Sequence, residues 1–294
     1  MADIRSHTPL SPNSLFAIAS VSKQFTALSL LLLVRDGKLS LSQSVRRTLP
    51  ELPASYEPIT LRHLLAHTSG LPEYEDIYNQ QGGPDYDSAT RADQLRVIVN
   101  SIAPVSAPGT AWRYANTNYL LAALVVERAS GQSLKDFARR RIFGPLHMGS
   151  TDFVTAKEEV RPSRALPYQL DAEGHWQSTL YGAHAGPTGV QTTLVDLQRW
   201  SENFYQNRVG TPGILAEMQQ PQRLDNGTPI TAALGLEHKR LGHHDAVLHT
   251  GVTVGTRAAF VRFPAHNTSL VLLCNRIDVN TERVAAQVAD ILFD

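Results

Sequence analysis

The sequence predicts an α/β fold, in which an antiparallel sheet flanked by helices is interrupted by a mostly helical insertion. Three observations carry this. A helix near the start is apolar almost all round and therefore belongs at the centre of a core. Helical stretches separated by turn clusters fill the middle of the chain. The last third changes to short β-type runs and closes with an amphipathic helix.

Taken in order, a short polar arm leads into a helix from about Ser20 to Asp36. Phe25, Ala27, Leu28 and Leu30 to Val34 leave it no polar face, and Gly37 ends it. The stretch Phe25 to Val34 is too short to cross a bilayer, which takes roughly 20 residues. Helices are expected at 59–66, 91–102, 117–129, 132–142 and 193–206, and Gln80 to Asp87, with Gly82-Gly83-Pro84, reads as an exposed loop. Ala232 to Leu236, Ala246 to His249, Arg257 to Phe263 and Ser269 to Cys274 read as strands. Asn280 is placed to cap a final helix that buries Val284, Ala285, Val288, Ile291 and Leu292. The expected division is a sheet domain of residues 1–45 and 230–294 around a helical domain of 46–229.

Composition narrows the function. The 294 residues carry 27 basic and 27 acidic side chains, which argues against a nucleic-acid platform, since that needs a basic excess. The cations are lopsided: lysine occurs only at 23, 38, 135, 157 and 239, so each lysine position is informative. The one cysteine, Cys274, cannot form an intrachain disulfide, so cysteine usage does not report the compartment. Met1 to Ser14 lack the apolar core of a signal peptide, and localisation stays open.

Three motifs carry chemistry. Ser20-Val21-Ser22-Lys23 sits at the head of the apolar helix, where residues three apart share a face, so Lys23 reaches Ser20 while Ser22 points elsewhere. A serine hydroxyl needs a base to become a nucleophile, and a lysine whose cation is disfavoured by burial can serve as one. Alone, the motif also fits a capping serine followed by an ordinary surface lysine. It is, however, the only Ser-x-x-Lys in the chain. Tyr114-Ala115-Asn116 follows Pro108-Gly109 and precedes a helix, so an extended loop would point the phenol and the amide into one cleft. A phenolate stabilised by a lysine cation could relay protons there. Tyr205-Gln206-Asn207 has the same spacing but lies in a polar stretch and reads as surface. His249-Thr250-Gly251 closes a β-type run, where small residues let a substrate backbone approach an edge strand; alone it would read as a strand-to-turn junction.

In this order the three motifs resemble those of the serine β-lactamase and penicillin-binding-protein family, which includes class C β-lactamases, DD-peptidases, D-aminopeptidases and related esterases. Phe16 to Ala27, Thr60 to Pro72, Tyr114 to Tyr119, Ile142 to Met148, Gly186 to Val190 and Asp196 to Trp200 are similar to that family's segments as well. The resemblance implies a β-lactamase/transpeptidase-like fold, with a sheet domain built from both chain ends and a cleft beside an inserted helical domain. It implies Ser20, Lys23 and Tyr114 as catalytic residues, Asn116, His249, Thr250 and Gly251 as substrate-binding residues, and the N–H groups of Ser20 and Val252 as the oxyanion hole. It implies a small-molecule substrate and no metal or organic cofactor. Two departures modify this. His249 stands where the β-lactamases usually carry lysine, so efficient β-lactam hydrolysis is not expected. Met1-Ala-Asp-Ile-Arg resembles only the tail of a strand that normally precedes the nucleophile segment. The N-terminal strands are thus expected to be missing, which would leave the Ser269 to Cys274 edge free to pair with a second copy.

Other residues read as structural. His63 and His67 have helical metal-pair spacing, but no glutamate follows His63, and a helix end at Thr68-Ser69-Gly70 is preferred. His243-His244-Asp245 reads as a polar turn, and Trp112 and Trp200 as packing residues. Gly-x-Ser-x-Gly and the phosphate-binding loop are both missing, which removes the α/β-hydrolase and NTPase classes. The expected function is a serine hydrolase acting through an acyl-enzyme on D-amino-acid peptides or short acyl esters. The alternatives are a slowly acylating penicillin-binding or sensor protein, a class C-type β-lactamase, and an inert fragment.

Overall fold

The computed structural model describes residues 1–80, 90–154, 163–178 and 184–293; the Gly82-Gly83-Pro84 segment lies outside them. The buried helix near the start is not one uniform helix. A 3-10 turn, Ala19–Ser22, feeds helix α1, Lys23–Arg35, whose residues from Lys23 to Leu33 are all buried. Ala19 holds a left-handed φ of 45°, a conformation uncommon outside glycine, and so turns the chain sharply just before Ser20. In a 3-10 turn residues three apart eclipse, which sets Lys23 against Ser20 more closely than an α-helix would.

Around α1 the middle of the chain supplies α2 (Leu61–Leu65), α3 (Tyr74–Gln80), α4 (Arg91–Ser101), α5 (Asn116–Ser130) and α6 (Leu134–Ala138). Helices α7 (Leu194–Gln206) and α8 (Pro212–Gln219) follow. Thr60, Thr90, Ser133 and Thr193 cap α2, α4, α6 and α7 by accepting the backbone N–H three residues on. The helix expected at 132–142 is shorter, because the backbone widens into a π-turn at Arg139–Phe143. The middle also carries strands that periodicity did not show. These are β2 (Asp152–Phe153), β3 (Tyr168–Leu170), β4 (Trp176–Ser178) and β5 (Val190–Thr192). Runs of two or three residues are too short for an alternating pattern to register. Strand β5 lies between β2 and β1 (Phe16–Ala17) and so ties residues near 190 to the segment leading into Ser20.

The main sheet is antiparallel in the order β6-β7-β8-β9, from β6 (Glu237–Leu241), β7 (His244–Thr253), β8 (Thr256–Phe263) and β9 (Thr268–Cys274). The strand read at Ala232 to Leu236 is displaced: those residues form no strand, Ala232 makes a single antiparallel bridge to Glu237, and continuous pairing begins at Glu237. Helix α9 (Thr281–Phe293) covers one face of the sheet, with Asn280 capping it through the Arg283 N–H. Its Ala285 and Ala289 pack against Leu248, Val261 and Phe263. The helix buries less than its pattern suggests, since Ile291 is 82 % and Leu292 60 % exposed. The small Ala285 and Ala289 lie on the sheet, and those two apolar residues face outward near the helix end. Trp200 is fully buried against Phe25 and Phe204, whereas Trp112 is exposed rather than packed.

Strand β9 pairs only with β8 among the described residues. The N-terminal arm folds back on itself between Asp3 and Thr8 and meets the end of β9, where Asn275 Nδ2 donates to the Met1 and Leu166 carbonyls. It does not run along the strand. Residues Thr268 to Cys274 carry no charge and are all half-buried, the kind of edge that recruits another strand. A dimer joined through β9, or a poorly soluble protein, is the expected outcome of size-exclusion chromatography with light scattering. A monomer at tens of micromolar, on the order of concentrations at which weak edge pairing forms, would remove that expectation.

Candidate active site

Three segments far apart in sequence meet at the head of α1. The 3-10 turn presents Ser20, half-exposed, with Lys23 directly behind it and wholly buried. Lys23 Nζ donates to Ser20 Oγ at 3.1 Å, to Asn116 Oδ1 at 2.7 Å and to the Pro187 carbonyl at 3.0 Å. Three partners in fixed directions orient the ammonium; once neutral, the amine keeps two N–H donors for Asn116 and Pro187, and its lone pair accepts the Ser20 hydroxyl. Burial pulls the Lys23 pKa down to about 7, against the opposing charges of Glu73, Glu75 and Glu237. A large share of the amine is therefore unprotonated near neutrality, as a base for Ser20 requires. Ser22 does point elsewhere. It is buried, and its Oγ accepts the Val190 N–H at 3.1 Å, fastening the turn to β5.

Tyr114 and Asn116 do not share one loop. Ala115 is extended, at φ −151° and ψ 135°, and Asn116 is already the first residue of α5. The extended Ala115 still turns both side chains to the same centre. The Tyr114 ring lies 4.8 Å from Lys23 Nζ, and Ser20 stands close enough to its hydroxyl to oppose the rise in its pKa. Burial raises the Tyr114 pKa well above its ordinary value, and the carboxylates of Glu237, Glu73 and Glu75 add to the rise. The shift favours the neutral phenol over the phenolate considered from sequence. Tyr205 lies on α7, beside Arg262 and Ser269, remote from this centre.

Strand β7 forms the facing wall. Gly251 has no space for a side chain: a Cβ there would lie 2.1 Å from the Ile18 carbonyl oxygen and 3.3 Å from the Ala19 Cβ. The glycine lets β7 press against the turn that carries Ser20, with half-buried Thr250 and exposed Val252 on either side of the contact. His249 is buried, its ring centroid 6.2 Å from that of Tyr114. Burial, reinforced by the Lys23 charge, lowers its pKa to about 3, so it is neutral. Its Nδ1 lies 2.7 Å from the Thr250 carbonyl, a contact that requires the proton on Nδ1 and leaves Nε2 as an acceptor.

The motif reading missed three residues here. His67 stacks on Tyr114 with ring centroids 4.4 Å apart, and its Nδ1 accepts the Ala115 N–H at 3.2 Å. Burial, then the charge of Lys23, pushes its pKa well below the usual value and keeps it neutral. Glu73 and Glu75 both bond Asn116. The sequence singled out His67 only for its metal-pair spacing with His63 and read it as structural; its place beside Tyr114 was not visible, because its partners come from elsewhere in the chain. No group of three or more metal-ligating side chains occurs among the described residues. No helix there is long and apolar enough to cross a membrane.

Comparison with known proteins gives a consistent result. A family model described as Beta-lactamase matches residues 1–293. Penicillin-binding protein 4* of Bacillus subtilis (strain 168) is 31% identical over 316 residues, covering 99% of this chain and 68% of its own length. A D-aminopeptidase of Gluconobacter oxydans (strain 621H) is 25% identical, covering 98% of this chain and 53% of its own length. The chain thus spans between about half and two thirds of these relatives. Among solved structures, the octameric penicillin-binding protein homologue from Pyrococcus abyssi superposes with a TM-score of 0.86. It is 24% identical, and the match covers 99% of this chain and 69% of that one.

Proposed function

From the premise that the chain belongs to the beta-lactamase family, we propose that it is a serine hydrolase that opens amide or ester bonds of small substrates through an acyl-enzyme at Ser20. The observation that carries this is the 3.1 Å contact between Ser20 Oγ and the fully buried Lys23, whose pKa burial lowers to about 7. Ser20 Oγ attacks the substrate carbonyl as Lys23 Nζ takes its proton. The carbonyl oxygen becomes an oxyanion, received by the N–H groups of Ser20 and Val252. On collapse the carbonyl re-forms, the bond to the leaving group breaks, and the neutral Tyr114 hydroxyl passes its proton to the leaving nitrogen or oxygen. Tyr114 is re-protonated from the Lys23 ammonium, which leaves Lys23 as the base again. Water then attacks the acyl group with Lys23 taking its proton; on collapse the bond to Ser20 Oγ breaks, the Lys23 ammonium returns that proton to Oγ, and the acid is released.

The proposed substrates are D-amino-acid peptides or amides and short acyl esters. A neutral His249 offers an acceptor at Nε2, and Glu73, Glu75 and Glu237 surround Lys23 with negative charge. Such a cleft suits an uncharged or ammonium-bearing substrate and disfavours the carboxylate that every penicillin carries. We expect p-nitrophenyl acetate and D-alanine amides to turn over faster than nitrocefin, with intact-mass spectra showing a transient acyl adduct. His249→Lys is expected to raise the rate of acylation by benzylpenicillin by about tenfold, the effect of one charge-assisted hydrogen bond. Nitrocefin hydrolysis outpacing the short esters would refute this preference. Stoichiometric labelling by penicillin without turnover would instead favour a slowly acylating binding protein.

A further inference from the structure

Asn116 is held from three sides. Its backbone N–H, the first of α5, donates to Glu73 Oε2 at 2.6 Å, and its Nδ2 donates to Glu75 Oε1 at 3.0 Å. Its Oδ1, fixed by those two bonds, is left facing Lys23 Nζ at 2.7 Å. The two carboxylates come from the segment joining α2 to α3 and from the first turn of α3, so they reach Asn116 from outside its own helix. A simple helix cap would use one of them. The arrangement also leaves Glu73 Oε1 buried without a hydrogen-bond partner. A carboxylate oxygen in that state is costly unless a nearby cation compensates it, and Lys23 attracts it.

We propose that Glu73 and Glu75 are positioning residues that clamp Asn116 onto Lys23 and, by their charge, set the pH at which Lys23 becomes the base for Ser20. The proposal rests on the reading of Ser20 and Lys23 as nucleophile and base. Seven groups face Lys23 across the site: Glu73 and Glu75 beside α3, Glu237 on β6, His67 after α2, Tyr114 and Tyr119 at α5, and His249 on β7. Both histidines are neutral and both tyrosines are protonated, so the three carboxyls are the charges that matter. Burial drives the Lys23 proton off, and the carboxylates hold it on. Their own balance is fine, because burial and Glu75 raise the Glu73 pKa to about 7, where it titrates together with Lys23. Loss of either charge should therefore make Lys23 release its proton at lower pH.

Glu73→Gln and Glu75→Gln separate charge from clamp, since an amide oxygen can still accept from Asn116. The chain has five lysines, so a protein labelled with 13Cε-lysine gives five signals to follow, and Lys23→Met assigns the one of interest. We expect the Lys23 titration midpoint to fall by about one pH unit in Glu73→Gln and by a smaller step in Glu75→Gln. Glu73→Asp, which keeps the charge, should bring the midpoint back towards wild type. The acid limb of the acylation rate should move by the same amount as the midpoint. A merely structural cap would leave both midpoint and limb in place. An unmoved midpoint in Glu73→Gln, or in Glu75→Gln should the first variant not fold, overturns the proposal. The titration is read on the free protein, so it can fail while acylation at Ser20 persists. Conversely, acylation that survives Ser20→Ala would sink the underlying reading without touching the titration.

Discussion

Ser20→Ala is expected to cut turnover of every ester or amide substrate by roughly 10⁴-fold or more, the scale seen when a nucleophile that acts as a unit with its base is removed. The acyl adduct should vanish from intact-mass spectra at the same time. The alternative nucleophile in the motif, Ser22, is buried and committed to the Val190 N–H, so it cannot take over. Ser20 is half-exposed and its side chain small, so the variant should melt within about 0.5 kcal/mol of the parent protein. An adduct that persists in Ser20→Ala, or one that maps to Ser22, would show the site to be wrongly built.

The second large effect is expected at Lys23, in opposite directions for rate and stability. Lys23→Met should lower acylation at neutral pH by about 10³-fold, the upper range for loss of a general base. It should also raise the melting temperature. The lysine is fully buried, and its pKa falls from 10.5 in the unfolded reference to about 7 in the fold. The folded protein therefore prefers the neutral amine, and unfolding takes up a proton. The cost is fully present below pH 7 and fades as pH rises towards the unfolded value. At neutrality it is on the order of 4 kcal/mol. Methionine avoids it but leaves Asn116 Oδ1 and the Pro187 carbonyl without their donor. The surplus should appear as a gain of about 2–4 °C. The gain should shrink in melts run near pH 10, where the native lysine no longer carries the penalty. A melting temperature that drops at neutral pH would mean that the three hydrogen bonds of Lys23 outweigh its burial.

Sequence and structure agree where the chemistry is local. A spacing of three brings Ser20 and Lys23 together whether the segment is an α-helix or, as found, a 3-10 turn. The fold class and the family were legible because six separate segments and the order of the motifs all pointed the same way. Glu73, Glu75 and the stacking of His67 on Tyr114 were not legible. Each depends on contacts across more than forty residues, and their identity as charged or ring side chains only gains meaning once α5 is placed. The neutral state of Tyr114 could not be read either, since burial decides it and no motif reports burial. The short strands β2 to β5 escaped for a third reason: two or three residues complete no period. At the far end, helical spacing did find α9, but spacing alone could not show that its last turn runs past the sheet and leaves Ile291 and Leu292 in solvent.

The contact between Gly251 and the Ile18 carbonyl joins residues more than two hundred positions apart in the sequence. During synthesis the segment holding Ser20 and Lys23 leaves the ribosome well before the strand that walls it in. Until β7 docks, the turn that carries Ser20 lacks its facing wall. On the proposed mechanism, acylation therefore waits for β7 to dock. Contacts of such sequence separation also slow folding, so gain of acylation should trail gain of helix when the denatured protein is returned to native conditions.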